Sequence, residues 1–247
     1  MKGLEHTQNL GRSRLSMIAV MVIYFLVGGW FGWVWRSSQL PNTFDAFHTW
    51  FFDHRQTTWQ NTRWLGIQIE KCPFDTWTYQ EIIYETRPDV LVEAGTGRGG
   101  SAYYFASIFD LLKRGRVLTI DVFKYPDRPQ HPRITYLFGS STSPAVFQAV
   151  RNDIHQGDRV MVSLDSDHHK GHVLNELELY STIVTVGNYL VVEDTDINGH
   201  PVLPRFGPGP MEAVEEFLKD NHDFIRDRTR EQFGMTMFPG GWLKRIR

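Results

Sequence analysis

An α/β fold built on a doubly wound, mostly parallel sheet is expected from this sequence. Short runs rich in Val, Ile and Leu alternate with helix-length segments, a glycine-rich turn follows the first run, and acids stand at the ends of most runs. Strands that read as nearly unbroken apolar runs are buried on both faces, so helices must cover a parallel sheet above and below. Five such strands are predicted, at 89–93, 116–121, 133–138, 159–164 and 189–193. Helices are predicted at 75–86, 101–113, 144–155, 172–186 and 209–221; the first starts behind Pro73 with Asp75 as N-cap and stops before Pro88. The segments 224–229 and 235–247 have no long helix between them. They predict a C-terminal antiparallel hairpin at the sheet edge and bring the count to seven strands.

The N-terminus has a different character. Leu15 to Trp35 is a run of 21 residues without a charge, bounded by Arg12, Arg14 and Arg36. A helix of that length rises roughly 30 Å, enough to cross a hydrocarbon core. A retained single-pass membrane anchor is the expectation; a cleaved signal peptide with Val27 and Gly29 near the cut, or a buried or interfacial helix, are the alternatives. Lys2, Arg12 and Arg14 before the span favour an exported C-terminal part, whereas a cytosolic cofactor favours a cytoplasmic one. The cofactor is given more weight, because Glu5 blunts a small charge difference. Residues 1–36 are thus read as the anchor region, 37–74 as a linker and amphipathic lead-in with aromatics for partial burial, and 75–247 as the main domain.

Composition narrows the function. A net charge of −2 gives no broad basic field, so nucleic acid is excluded as the main partner. The single cysteine, Cys72, excludes an internal disulfide.

In a doubly wound sheet, ligands bind beyond the carboxyl ends of the strands. Those ends are Glu93, Asp121, Gly139-Ser140, Asp165-Ser166-Asp167-His168 and Glu193-Asp194. An unpaired buried charge costs on the order of several kcal/mol, so acids do not collect there without a reason. After the first strand, Gly95, Gly97 and Gly100 form a cofactor loop opening a helix at Ser101, with Glu93 beside it. The same glycines satisfy a dinucleotide pattern, which alone is weak. Asp121 is placed to accept two ribose hydroxyls, although a helix cap or loop acid would look the same. Ser140 and Ser141 are candidates for an adenine edge, or simply turn residues. Asp165, Asp167, Glu193 and Asp194 converge at neighbouring strand ends as a hard-cation site suited to Mg²⁺. His168 is the candidate base, with Lys170 as the alternative and His169 and His172 nearby. The Gly/Pro-rich loop 195–210 reads as a substrate lid or, failing that, a rigid connection.

Taken together, Trp64-Leu-Gly66, Glu93-Ala-Gly-Thr-Gly-Arg-Gly-Gly-Ser101, Leu164-Asp-Ser-Asp-His168, His172-Val-Leu-Asn-Glu-Leu177, Val192-Glu-Asp194, Phe206-Gly-Pro-Gly-Pro210 and Pro239-Gly-Gly-Trp-Leu-Lys244 resemble the cephalosporin hydroxylase (CmcI-type) family, whose members include rhamnosyl O-methyltransferases. The resemblance covers roughly 57–247 and leaves out the apolar span. It implies a class I, Rossmann-like methyltransferase fold using S-adenosyl-L-methionine and Mg²⁺. By that resemblance Glu93, Gly95, Gly97 and Ser101 hold the methionine part of the cofactor, and Asp121 its ribose; Ser140 and His168, from their places after the strands, are further candidate cofactor contacts. Glu193 and Asp194 hold the metal with Asp165 or Asp167. Asp165 follows the strand directly, whereas Asp167 heads an Asp-His-His-Lys string, and both belong to motifs similar to catechol-type O-methyltransferases.

The expected activity is methyl transfer to a hydroxyl of a small molecule or glycan, with a lipid-linked sugar favoured by the anchor. The competing readings are an NAD(P)-dependent oxidoreductase, which leaves the acids of the fourth and fifth strands unexplained, and a membrane-anchored binding module without catalysis. A homo-oligomer stays open.

Overall fold

Each predicted apolar run forms a strand of one seven-stranded sheet. The structure, a computed structural model, describes residues 43–247. The apolar run at 15–35, with its expected membrane helix, lies outside the described residues. Among the described residues, no helix is long and apolar enough to cross a membrane. Phe47–Arg247 form one compact unit, which therefore takes in part of the segment read as lead-in.

Residues 43–53 are helical (α1). A small antiparallel ribbon follows, β1 (Arg63–Trp64) with β2 (Ile67–Gln68), and then α2 (Pro73–Thr86). The alternating part runs β3 (Val90–Ala94), α3 (Gly100–Leu112), β4 (Arg116–Asp121), β5 (Ile134–Phe138), α4 (Pro144–Asp153), β6 (Val160–Leu164), α5 (Lys170–Tyr180), β7 (Tyr189–Val192) and α6 (Pro210–Asp220). It closes with β8 (Phe224–Arg226) and β9 (Trp242–Arg245). Proline stands at the start of α2, α4 and α6, where a missing N–H costs nothing. Arg87 ends α2 in a left-handed conformation, and Pro88 cannot follow in a helix.

The strand order is β5-β4-β3-β6-β7-β9-β8. Pairings from β5 through to β7 are all parallel. β9 runs antiparallel to both neighbours, β7 and β8. The expected C-terminal hairpin is thus present as an antiparallel pair, with its second strand inserted inside the first rather than added outside it.

Two apolar layers sandwich the sheet, as the period of two along each strand requires. Leu91, Met161, Tyr189 and Val191 face the layer that holds Ile82, Ile83, Phe105 and Phe109 of α2 and α3. Val90, Val92, Val160, Val162, Leu190 and Val192 face Val150, Leu177 and Val214 of α4, α5 and α6. Trp242, completely buried, packs edge-on to Tyr79 at 5.1 Å and ties the last strand into the first layer. Between β3 and β6 the winding reverses, and the crevice at their carboxyl ends is where such a sheet binds ligands.

Candidate active site

A cavity of about 550 Å³ opens over that crevice. Its wall on the β3 side is the glycine turn. Gly95 and Gly97 have φ of 99° and 49°, a left-handed backbone that favours glycine. A Cβ on Gly95 would lie 1.8 Å from the Asp165 carbonyl oxygen, so the turn after β3 is pressed against the end of β6. At the end of β4, Asp121 Oδ2 accepts from the Gly97 amide at 2.8 Å and from Arg128 Nη2 at 3.0 Å, and Oδ1 accepts from the Phe123 amide. Arg128 also donates to the Gly97 carbonyl at 2.8 Å, so one guanidinium braces the carboxylate and the turn together. Gly95, Gly97, Ser101, Asp121, Ser140, Ser141 and His168 all line the cavity. Glu93 does not. It is fully buried within β3, where Oε2 accepts from Thr119 Oγ1 at 2.5 Å. Burial pushes its pKa up to about 7.

The opposite wall carries the acids. Asp165, His168 and Asp194 each offer a ligand atom within 4.8 Å of the others, a mixed oxygen and nitrogen set that fits a divalent cation. His168 Nε2 lies 3.4 Å from Asp194 Oδ2. Burial works against protonation of His168, but Asp194 and Asp165 outweigh it and raise its pKa. Burial raises the carboxyls of Asp165, Glu193 and Asp194, and their mutual repulsion adds to it.

Glu193 faces inward. Its Oε1 accepts from Tyr79 Oη at 2.8 Å and from Ser163 Oγ at 2.7 Å, while Oε2 accepts from Lys71 Nζ. Asp167 is placed apart from this group: half-exposed, it accepts from the amide and ring of its neighbour His169 at 2.8 and 2.7 Å just before α5. The reason is the strand end. β6 stops at Leu164, so Asp165 is the first residue past the sheet, and two further residues carry Asp167 to the helix entrance. Lys170 is on α5 and pairs with Glu216 of α6 at 2.6 Å, away from the cavity lining.

Lys71 is the functional residue that sequence reasoning passes over. It is 6% exposed and donates to Asp165 Oδ2 at 2.5 Å as well as to Glu193. Burial opposes its charge, but Asp165, Glu193 and Glu93 together hold its pKa well above the usual lysine value. Thr62 grips its backbone from both sides, accepting from the Lys71 amide and donating to its carbonyl. No local pattern distinguishes this lysine; only the fold brings residue 71 to residues 165 and 193.

The loop 195–210 contributes nothing to the cavity lining. Glu212 fastens it, accepting from Asn198 Nδ2 and the Gly209 amide and lying 3.0 Å from His200 Nε2. Buried Asp196 adds a bond from His48 Nε2 at 2.7 Å. It is a pinned connection and not an open flap. The wall on this side comes instead from Met237 and Phe238, ahead of β9.

Residues 56–246 match the family model described as rhamnosyl O-methyltransferase/CmcI. A rhamnosyl O-methyltransferase of Mycobacterium tuberculosis (strain ATCC 25618 / H37Rv) is 40% identical over 210 residues, covering 81% of this chain and 84% of the relative. One of Mycobacterium leprae (strain TN) is 37% identical over 207 residues, covering 81% and 90%. Among solved structures, CmcI with Mg and SAM superposes with a TM-score of 0.60 at 18% identity, covering 76% of this chain and 78% of that one. CmcI without ligand gives 0.59 at 21% identity, covering 76% and 77%.

Proposed function

Since the chain belongs to the rhamnosyl O-methyltransferase/CmcI family, we propose that it is an S-adenosylmethionine-dependent, Mg²⁺-assisted O-methyltransferase whose acceptor is a sugar hydroxyl. The observation that carries the reading is the cavity that sets a glycine turn and Asp121 on one wall against Asp165, His168 and Asp194 on the other. Family membership removes the oxidoreductase and non-catalytic readings.

S-adenosylmethionine supplies an electrophilic methyl, and a divalent cation supplies Lewis acidity toward the acceptor hydroxyl. The chain's own part is alignment and proton handling. The Gly95–Ser101 turn presents backbone groups to the methionine part of the cofactor. Asp121, braced by Arg128, offers its carboxylate to the ribose hydroxyls. Ser140 and Ser141, which line the cavity, would meet the adenine edge. Asp165, Glu193 and Asp194 would hold the cation, and His168 at their side would take the proton of the acceptor. Asp167 serves α5 and Lys170 serves the α5–α6 contact in this scheme, which leaves both outside the chemistry.

His168→Ala should lower kcat by about two to four orders of magnitude, the usual share of a positioned base, with cofactor affinity nearly unchanged. Chelation by EDTA should stop turnover in the same way. Full methyl transfer from S-adenosylmethionine in EDTA, checked by S-adenosylhomocysteine release, would sink the metal role and leave His168 acting alone.

The uncharged 15–35 run supports a second part of the reading: a single-pass membrane anchor, with the catalytic unit on the cytoplasmic side where the cofactor is available. The full chain should then sediment with membranes, and protease added to sealed cytoplasmic-side-in vesicles should spare the catalytic unit. Recovery of full-length protein in the soluble fraction would count against the anchor.

A further inference from the structure

Among the described residues, the buried charged side chains include five carboxylates, Asp75, Glu93, Glu176, Glu193 and Asp196, but a single lysine or arginine, Lys71. That lysine is spent on Asp165 and Glu193. Its ammonium stands between one oxygen of each, at the meeting point of the β6 and β7 ends. This is the position from which a divalent cation would draw on both carboxylates at once, because a cation needs their oxygens as directly as an N–H donor does. Ammonium and metal cannot share it. Glu193 has no other oxygen to give, since Oε1 is already held by Tyr79 and Ser163.

From this we propose that Lys71 is a built-in counter-cation that occupies the Asp165–Glu193 pair in the metal-free protein and is exchanged out when a divalent cation binds. The inference rests on the metal-assisted reading above and adds a residue to it. The exchange explains why a lysine is buried at a site rich in acids: without it, Asp165 and the buried Glu193 would face each other uncompensated. It also makes the site's affinity for metal the difference between two cations, so that Lys71 sets how much free metal the enzyme needs. The arrangement is built into the backbone. Thr62 fixes the Lys71 main chain, and nearby Gln68 and Ile69 lie so close over Gly100 that a Cβ there would be 1.9 Å from the Gln68 carbonyl oxygen.

The test is Mn²⁺ binding to the full protein, followed by calorimetry and by the loss of the free-ion paramagnetic resonance signal. Lys71→Met should bind Mn²⁺ at least about tenfold more tightly, and Glu193→Gln at least about tenfold more weakly, than the unaltered protein. Glu193→Gln binding like the unaltered protein would overturn the exchange, since Lys71 and Glu193 would then be a fixed pair beside the metal; so would Lys71→Met binding no more tightly. Should Lys71→Met fail to fold, reductive methylation of the unaltered protein, read by mass spectrometry, decides the same question. Lys71 should be protected in EDTA and modified once Mn²⁺ is bound, and continued protection at metal saturation overturns the proposal. Asp194→Asn separates the metal site from the exchange. If it takes up Mn²⁺ as the unaltered protein does, the metal site itself is misplaced and the exchange falls with it; if it loses Mn²⁺ while the other two variants do not diverge, the exchange alone is wrong.

Discussion

At the scale of single residues, the cavity is governed by charges whose partners come from distant parts of the chain. Asp121 illustrates the cofactor side. Its carboxylate is already organised by the Gly97 amide and Arg128, which in the proposed function would hold it ready for the ribose. Asp121→Ala should weaken S-adenosylmethionine binding by roughly 1.5–3 kcal/mol, the worth of a charge-assisted contact. Titration calorimetry measures this, and an unchanged affinity would reduce Asp121 to a turn residue.

Asp75, buried outside the cavity lining, shows the same dependence on distant partners. It is buried in the first turn of α2, accepting from Thr236 Oγ1 at 2.5 Å and from the Met237 amide at 2.9 Å. Burial raises its pKa from 3.8 to about 7; the two hydrogen bonds pull it down, and Glu193 and Asp196 push it up again. An acid whose folded pKa exceeds its unfolded value binds its proton more tightly when folded. Its contribution to stability is therefore complete at pH below 3.8 and is lost as pH rises through about 7. Glu93, also raised to about 7, acts with the same sign. Asp75→Asn keeps an acceptor for the Met237 amide and cannot ionise. Between pH 5 and 8 the variant should lose less stability than the unaltered protein, by an amount on the order of a few kcal/mol. Parallel denaturation profiles for the two proteins would clear Asp75 of this role.

At the scale of elements, α3 and the ribbon ahead of α2 are fitted to each other through Gly100. Alanine in a helix is ordinarily favoured over glycine by about 1 kcal/mol. Here the added methyl would meet the Gln68 carbonyl at 1.9 Å, and overpacking of this kind costs about 1–3 kcal/mol or more. Gly100→Ala should therefore destabilise the protein in urea denaturation; a gain in stability would mean that the 67–71 segment moves aside freely.

The elements also show what can be read from sequence. The central strands β3, β4, β6 and β7 are legible because both faces of each are buried, which leaves an apolar run with a hard stop where the acids begin. β4 ends at Asp121 and β6 at Leu164, where the sequence pattern ends them. Helix limits are less legible. α5 starts at Lys170 and stops at Tyr180, whereas the run of apolar residues to Val186 predicts a later and longer helix; residues beyond Tyr180 instead form turns that lead into β7. The sequence marks Asp75 as the cap of α2, but it is the third residue of that helix and faces inward to the Thr236 hydroxyl and the Met237 amide. Glu93 looks like a cofactor contact because it precedes the glycines. In a strand buried on both faces it shares the side of Leu91, toward the layer of α2 and α3, and it bonds to the neighbouring strand. Lys71 has no signal of its own, being one cation in a polar and aromatic stretch.

At the scale of the whole molecule, the sheet order has a consequence for how the protein folds. β9 lies between β7 and β8, so β8 has no strand to pair with until a segment later in the chain has inserted. Closing such long-range pairings is slow compared with forming the local β-α-β units. The five parallel strands should consequently assemble first, and the β7–β9–β8 edge last. The turn before β9 is pressed against the end of β7, where a Cβ on Gly241 would be 2.1 Å from the Val192 carbonyl oxygen, and the same turn carries Met237 and Phe238 into the cavity wall. Pulse-labelled hydrogen exchange during refolding should protect the β3 and β6 amides before those of β9. A chain caught between these two events has its cofactor turn and its acids in place but one side of the chamber missing, so water reaches the site until the final strand seats, and competence for catalysis arrives in the last step of folding.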